Sequence, residues 1–444
     1  MLRLNSTQVI VLGFAGLILI GALLLMLPVS SASGTWTDFL TALFTATSAV
    51  CVTGLVVVDT GTYWSPFGQM VILLLIQMGG LGWMSVATLL ALVVRKRISL
   101  RERVLLQEAL NRETLGGVVD LARRIILITA VIEGLGFLIL AARFSLDFGW
   151  RKGLYYGLFH SVSAFNNAGF DVLGREFGPF TSLIHYVGDP VVSLTIATLL
   201  VLGGIGFPVI MDILKLKKLT RLSLHSKLAL LTTVFLIVVG TVLILAVEWD
   251  NPRTLQPLSL PAKVLAAYFQ AVTPRTAGFN TLDIGGLEPA TQYLHVILMF
   301  IGASPAGTGG GIKTVTFAVL VLAVVSIVRG RPEVDFGGRQ ISWFRVFKAL
   351  SIAAISFALV NTVTFILLLT EGKALLPVLY EVTSAFGTVG LSTGITPTLS
   401  PIGRVLIIFT MFAGRVGPLS LAMAIWHRQF KANVHLPEEQ VILG

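Results

Sequence analysis

Eight stretches of the chain are long and predominantly apolar, at about 8–28, 67–94, 125–142, 190–211, 228–247, 292–328, 346–369 and 403–426. A bilayer core of about 30 Å needs roughly 20 helical residues, so each stretch predicts a membrane-crossing helix. An even number of crossings puts both ends of the chain on one side. The segment 95–124 carries eight Lys or Arg against four acids, 212–227 five against one, and 329–348 five against two. By contrast 29–66 has no basic residue and two acids, and 248–291 has three basic and four acidic. Positive charge marks the cytoplasmic side, so the basic segments and both termini are expected there.

The outward connections each contain a moderately apolar run too short to span, the mark of a re-entrant helix. They read FTATSAVCVTGL from Phe44, FHSVSAFNNAGF from Phe159, YFQAVTPRTAGF from Tyr268 and YEVTSAFGTVGL from Tyr380. In each, an aromatic residue stands ten positions before a glycine: Gly54, Gly169, Gly278 and Gly390. The glycines are 115, 109 and 112 residues apart, so the repeated unit is span, re-entrant segment, span. The units divide near 1–94, 95–217, 218–330 and 331–444. Each crosses twice and starts on the same side, so four parallel copies can surround one axis along the membrane normal. Inverted repeats, common in secondary transporters, require an odd number of crossings per unit. The expected fold is therefore an all-α integral membrane protein with eight transmembrane helices and pseudo-fourfold symmetry around one pore.

Composition agrees. Of 444 residues 55% are hydrophobic and only 12% charged, with mean hydropathy +0.88, about half the charge of a soluble domain. The net charge of +10 sits in blocks between spans, as topology signals do, and not as a nucleic-acid surface. A single cysteine, Cys51, rules out an internal disulfide. The apolar stretch near the N-terminus lacks an A-x-A-like cleavage site and reads as a retained span.

A re-entrant helix entering from outside directs its negative C-terminal end to the membrane centre, where it favours a cation. The residues after it can turn carbonyls inward, and four such strands replace an ion's water shell. The predicted filter is Val50, Cys51, Val52, Thr53 and Gly54, then Asn166, Asn167, Ala168 and Gly169. Its third strand is Arg275, Thr276, Ala277 and Gly278, and its fourth Gly387, Thr388, Val389 and Gly390. Pro274, Phe165 and Phe386 lie at the inner ends of these segments. No filter segment supplies an acidic ring, which favours potassium over calcium.

VCVTG, NNAG, RTAG and GTVG look like degenerate copies of a potassium-channel filter, and the whole chain resembles the Trk/Ktr/HKT superfamily of potassium translocators. Eight spans and TPRTAGF at 273–279 are most like the bacterial Ktr membrane subunit. Gly54, where plant members often carry serine, is similar to the potassium-selective type. The resemblance implies potassium bound at the four filter glycines, uptake activated by sodium, and a homodimer with one pore per subunit. It also implies gating by a cytosolic nucleotide-binding ring (RCK-type, KtrA-like), so that a nucleotide acts only through that partner. The implied location is the bacterial inner membrane. Only the first repeat keeps a Val-Thr-Gly triplet, which implies a filter less selective than a symmetric one.

The sixth stretch is interrupted by GASPAGTGGGIKT, Gly302 to Thr314, with five glycines and a proline. Such a run is incompatible with continuous helix. It reads either as a close-packing kink or as a flexible gate below the filter, built from Gly302, Ala306, Gly307, Thr308, Gly309, Gly310, Gly311 and Lys313. The family resemblance, which implies an intramembrane loop in this span, favours the gate. A gate clear of the filter should be removable without changing ion preference. Arg415 lies mid-span, where the comparable positions of the first two units read as Leu81 and Ile205. An intramembrane charge is costly, so Arg415 either pairs with Glu133 or restrains cations in the pathway. Gly79, Gly80, Gly82, Gly203, Gly204 and Gly206 read as helix-packing positions. His160, Asn166 and Asn167 are expected to satisfy backbone groups behind the second filter strand. The basic segments set topology, and one could also dock the ring. An ion-coupled secondary transporter is the alternative, and would show acids at a midplane site. Clustered acids or histidines of an enzyme are absent from the sequence, and a non-enzymatic protein is expected.

Overall fold

The computed structural model describes residues 6–82, 118–215 and 222–425. The expected continuation of the second span through 83–94, most of the basic segment 95–124, the unit boundaries at 94 and 217, and the C-terminus after 425 lie outside these residues. One order of elements recurs along the described chain. A long apolar helix is followed by a short buried helix, a glycine turn, and a second apolar helix. The long helices are Ser6–Met26, Val118–Phe148, Leu224–Glu248 and Trp343–Glu371. The short ones are Phe39–Val50, Trp150–Phe165, Leu260–Val272 and Leu375–Gly387.

The two classes differ in what they bury. Only 22–28% of the apolar window of each long helix is covered by protein. Leu19, Ile20, Leu23, Leu127, Leu135, Val234, Phe235, Val238, Phe357 and Phe365 point outward. An outward apolar belt of this kind is stable in hydrocarbon and costly in water. The short helices are enclosed and carry polar side chains inside: Thr45 and Ser48, His160 and Ser163, Gln270, Glu381 and Ser384.

The second helices begin at an N-cap tied to the C-terminal part of the preceding long helix or to the turn that follows it. Ser65 N–H donates to the Ser30 carbonyl (2.9 Å) and Arg143 pairs with Asp189 (2.6 Å). Glu288 N–H donates to the Glu248 carboxylate (2.9 Å) and Ser400 N–H to Glu371 (3.0 Å). These ties satisfy helix-terminal groups and close the outer end of each unit.

Two stretches expected to be continuous are broken. The stretch 190–211 is Pro190–Gly204 followed by Phe207–Lys215, bent by 96°. The stretch 403–426 is Pro401–Val416 followed by Pro418–Ile425. The cause is local: Gly206 and Gly417 both adopt φ of +93°, which a Cβ would oppose, and a proline follows within two residues. Among the described residues, four helices are therefore long and apolar enough to cross alone, or five if the bent pair counts as one. The sixth stretch is interrupted as expected, between Pro289–Phe300 and Thr314–Val328. The basic segment 329–348 contains an unforeseen hairpin, Val334–Phe336 against Arg339–Ile341, turned by Gly337 and Gly338 with positive φ. Its FGGR sequence is a two-residue hairpin signal that the charge pattern overshadowed.

Candidate functional site

The four short helices end on one construction. Two residues before each repeated glycine the backbone turns left-handed, at Val52 (φ 51°), Asn167 (57°), Thr276 (73°) and Thr388 (50°). The glycine turns left-handed again: Gly54 (90°), Gly169 (68°), Gly278 (81°) and Gly390 (95°). Positive φ is unusual for any side chain and an outlier for the β-branched Val52, Thr276 and Thr388. The inner of the two left-handed turns therefore falls on side-chain-bearing residues and the outer on glycine.

The glycines close a ring. A Cβ on Gly54 would strike the Ala168 carbonyl, one on Gly169 the Ala277 carbonyl, one on Gly278 the Val389 carbonyl, and one on Gly390 the Thr53 carbonyl. Each segment thus touches the next in cyclic order. The strands are held from behind by hydroxyls that the sequence reading passed over. Gly54 N–H donates to Ser48 Oγ (3.0 Å) and Gly390 N–H to Ser384 Oγ (3.1 Å). Ser163 Oγ donates to the Phe170 carbonyl (2.7 Å), and Thr273 makes the corresponding bond to Phe279. A Ser or Thr five or six places before each glycine was the available signal.

Not every predicted filter residue faces this ring. Val50 and Gly387 are the last residues of their helices. The Val50, Phe165 and Phe386 carbonyls lie against Gly79, Gly203 and Gly414 of the second helices, where no Cβ would fit. Those glycines are close-packing positions, and they correct the alignment of Arg415, which corresponds to Gly80 and Gly204, one place before Leu81 and Ile205. The side chains three places before the ring glycine point backward. Asn166 donates to Gln77 (2.8 Å) and Glu133 (2.9 Å), and Arg275 to Thr233 (3.1 Å). Cys51 is buried and free. His160 packs behind the second strand with Nδ1 2.8 Å from the Tyr156 carbonyl.

Outside the ring lies a cavity of about 270 Å³ lined by all four glycines and by Asp59, Asp171 and Asp283. Asp59 is fixed by the Thr62 and Phe180 N–H groups, each at 2.8 Å. Burial, with Asp59 nearby, pushes the Asp171 carboxyl up to about 7. Its negative charge is present above that pH and lost below it. Cation binding in this cavity at low ionic strength should therefore fall severalfold between about pH 8 and about pH 6, because the cavity loses an attracting charge. Asp171→Asn should flatten that profile; an unchanged profile in the variant would show that Asp171 does not face a cation bound there.

Inside the ring sits the glycine-rich loop, and it is well bonded. Ser304 and Thr308 N–H donate to the Gly204 (2.8 Å) and Gly203 (3.1 Å) carbonyls, and Phe207 N–H to Ala306 (3.1 Å). Gly302, Gly309 and Gly310 each stand where a Cβ would collide with a neighbour, and one on Gly307 would be tight against the Gly203 and Gly204 carbonyls, so these glycines serve close approach. Lys313 donates to the Gly309 (2.6 Å) and Gly310 (3.3 Å) carbonyls. Arg415 donates to the carbonyls of Thr308, Gly79 and Gly80. Gly79 and Gly80 end the helix Pro66–Gly80, so the guanidinium neutralises a helix C-terminus. The suggested pair with Glu133 is not formed: that carboxylate accepts from Gln77 (3.2 Å) and Asn166. An outer acidic cavity, a ring of backbone and an inner cationic loop lie in series.

The family described as TrkH, cation transport protein, matches residues 4–433. The Ktr system potassium uptake protein B of Bacillus subtilis is 44% identical over 443 residues, covering 100% of this chain and 97% of that protein. The chain belongs to the TrkH family of cation transport proteins. A further relative of this TrkH-family chain, the potassium/sodium uptake protein NtpJ of Enterococcus hirae, is 38% identical, covering 100% of this chain and 98% of its own. The crystal structure of the potassium transporter TrkH from Vibrio parahaemolyticus aligns with a TM-score of 0.73 at 17% identity, covering 95% of this chain and 85% of that one. The fold is thus a TrkH fold, and the chain is a membrane transporter.

Proposed function

We propose that the chain is a potassium-uptake translocator whose four short helices are pore helices and whose glycine ring is the selectivity filter. The observation that carries this reading is the cyclic contact of Gly54, Gly169, Gly278 and Gly390, open outward to the acidic cavity and covered inward by the loop 302–313. Carbonyls of Thr53, Ala168, Ala277 and Val389 then supply the oxygens that replace an ion's hydration shell. Pore helices direct their negative ends at the ion, and Asp59, Asp171 and Asp283 concentrate cations at the mouth.

In this reading the eight expected crossings are four units around one pseudo-fourfold axis, with the second crossings of the second and fourth units broken at Gly206 and Gly417 and that of the third by the loop. The loop is the gate, and Arg415 and Lys313 add positive charge to its inner side. The resemblance of the whole chain to Ktr system protein B supports a homodimeric membrane subunit controlled by a cytosolic nucleotide-binding ring. The name of NtpJ supports a role for sodium. The basic segments support a cytoplasmic location for both termini.

Rubidium-86 uptake in a potassium-uptake-deficient bacterial strain tests the function. Expression of the chain with its regulatory partner should restore uptake, and adding sodium should stimulate it. Absence of uptake under both conditions, with the protein in the membrane, would overturn the proposal.

A further inference from the structure

The loop touches the ring strands at the residues that most need support. The Thr308 hydroxyl is hydrogen-bonded to the Asn167 amide (3.0 Å), and the same amide to the Thr276 hydroxyl (3.1 Å). Gly310 N–H donates to Thr388 Oγ1 (2.8 Å). Gly309 has no room for a Cβ because the Thr276 side chain is there. Asn167, Thr276 and Thr388 are three of the four side-chain-bearing residues held at positive φ directly inside the glycine ring. Such conformations persist only where the surroundings over-determine them. The fourth, Val52, has no polar side chain to be held.

We infer that Thr308 and Gly310 are positioning residues for ion selection: the loop holds Asn167, Thr276 and Thr388 left-handed, and through them the ring carbonyls, so the pore discriminates best while the loop is engaged. Opening then couples to selectivity. When the loop withdraws, the three side chains lose their partners, the strands regain freedom, and ions of other sizes are accommodated. The inference rests on the reading of the ring as filter and the loop as gate, and it reverses the expectation that the loop could be removed without affecting ion preference. Hydroxyl and amide groups at full burial are costly to leave unpaired, which makes the coupling strong.

The test uses the full-length protein in proteoliposomes, with potassium and sodium permeability measured for three variants. Thr308→Val removes one hydroxyl at nearly constant shape and should lower the potassium-to-sodium ratio about fivefold, the equivalent of one lost hydrogen bond. Thr308→Ser restores the hydroxyl and should return the ratio to within about twofold of the parent, a rescue that a general packing defect would not show. Deletion of Ala306–Gly311 should raise flux and lower the ratio together. Higher flux with the parental ratio would overturn the coupling and leave the gate standing. A lowered ratio at unchanged flux would overturn the gate and leave the positioning role standing. An unchanged ratio in both Thr308→Val and the deletion refutes the inference whatever the flux.

Discussion

Serine at any one of Gly54, Gly169, Gly278 or Gly390 should lower the potassium-to-sodium ratio by about tenfold or more, because each glycine is doubly constrained. Its φ lies between 68° and 95°, where a side chain is strained by about 1–3 kcal/mol. The added Cβ would also strike the carbonyl-bearing backbone of the next strand, which must shift by a distance comparable to the size difference between the ions. The ring is cyclic, so damage at one glycine moves a carbonyl of its neighbour; the four variants should resemble one another. Competition of sodium against rubidium-86 uptake measures the effect. Parental competition in all four variants would remove the filter assignment.

Arg415→Ala should raise potassium flux on the order of tenfold, through the loss of both a charge and a tether. Its guanidinium joins the loop, at the Thr308 carbonyl, to the end of the helix Pro66–Gly80, so its removal frees the loop on that side. A cation beside the pathway in a low-dielectric region also opposes the passage of another cation. Lysine carries the charge but presents one point donor where the guanidinium engages three carbonyls, so Arg415→Lys should fall between alanine and the parent. The absence of a Glu133 pair makes the outcome discriminating. No buried acid among the described residues is left stranded by the substitution, so expression should be preserved and flux should change. Normal insertion with parental flux would contradict this role.

Much of the architecture could be read from residue order. Long apolar stretches, the aromatic residue ten places before a repeated glycine, and the interruption at Gly302–Thr314 located the long helices, the short helices and the loop. These features depend on local composition and period, which a sequence displays. The departures depend on contacts between units. The breaks at Gly206 and Gly417 were hidden because a glycine within an apolar run also suits close helix packing, and Gly79, Gly203 and Gly414 do pack that way. Glu133, an acid within the stretch 125–142, was the partner suggested for Arg415. Amide side chains from Gln77 and Asn166 satisfy it instead, and backbone carbonyls satisfy the arginine. Backbone acceptors have no sequence signature, and this also hid the loop's anchorage on Gly203 and Gly204. The left-handed turns at Val52, Asn167, Thr276 and Thr388 were unreadable because unlike residue types carry them.

The central claim is that cations pass through the ring of four glycines. Anomalous X-ray diffraction from crystals of the full-length protein in rubidium locates the ion directly. The account predicts density on the axis between the carbonyls of Thr53, Ala168, Ala277 and Val389, reduced when Gly278 is replaced by serine. Rubidium bound elsewhere in the membrane region, with none inside the ring, would contradict it.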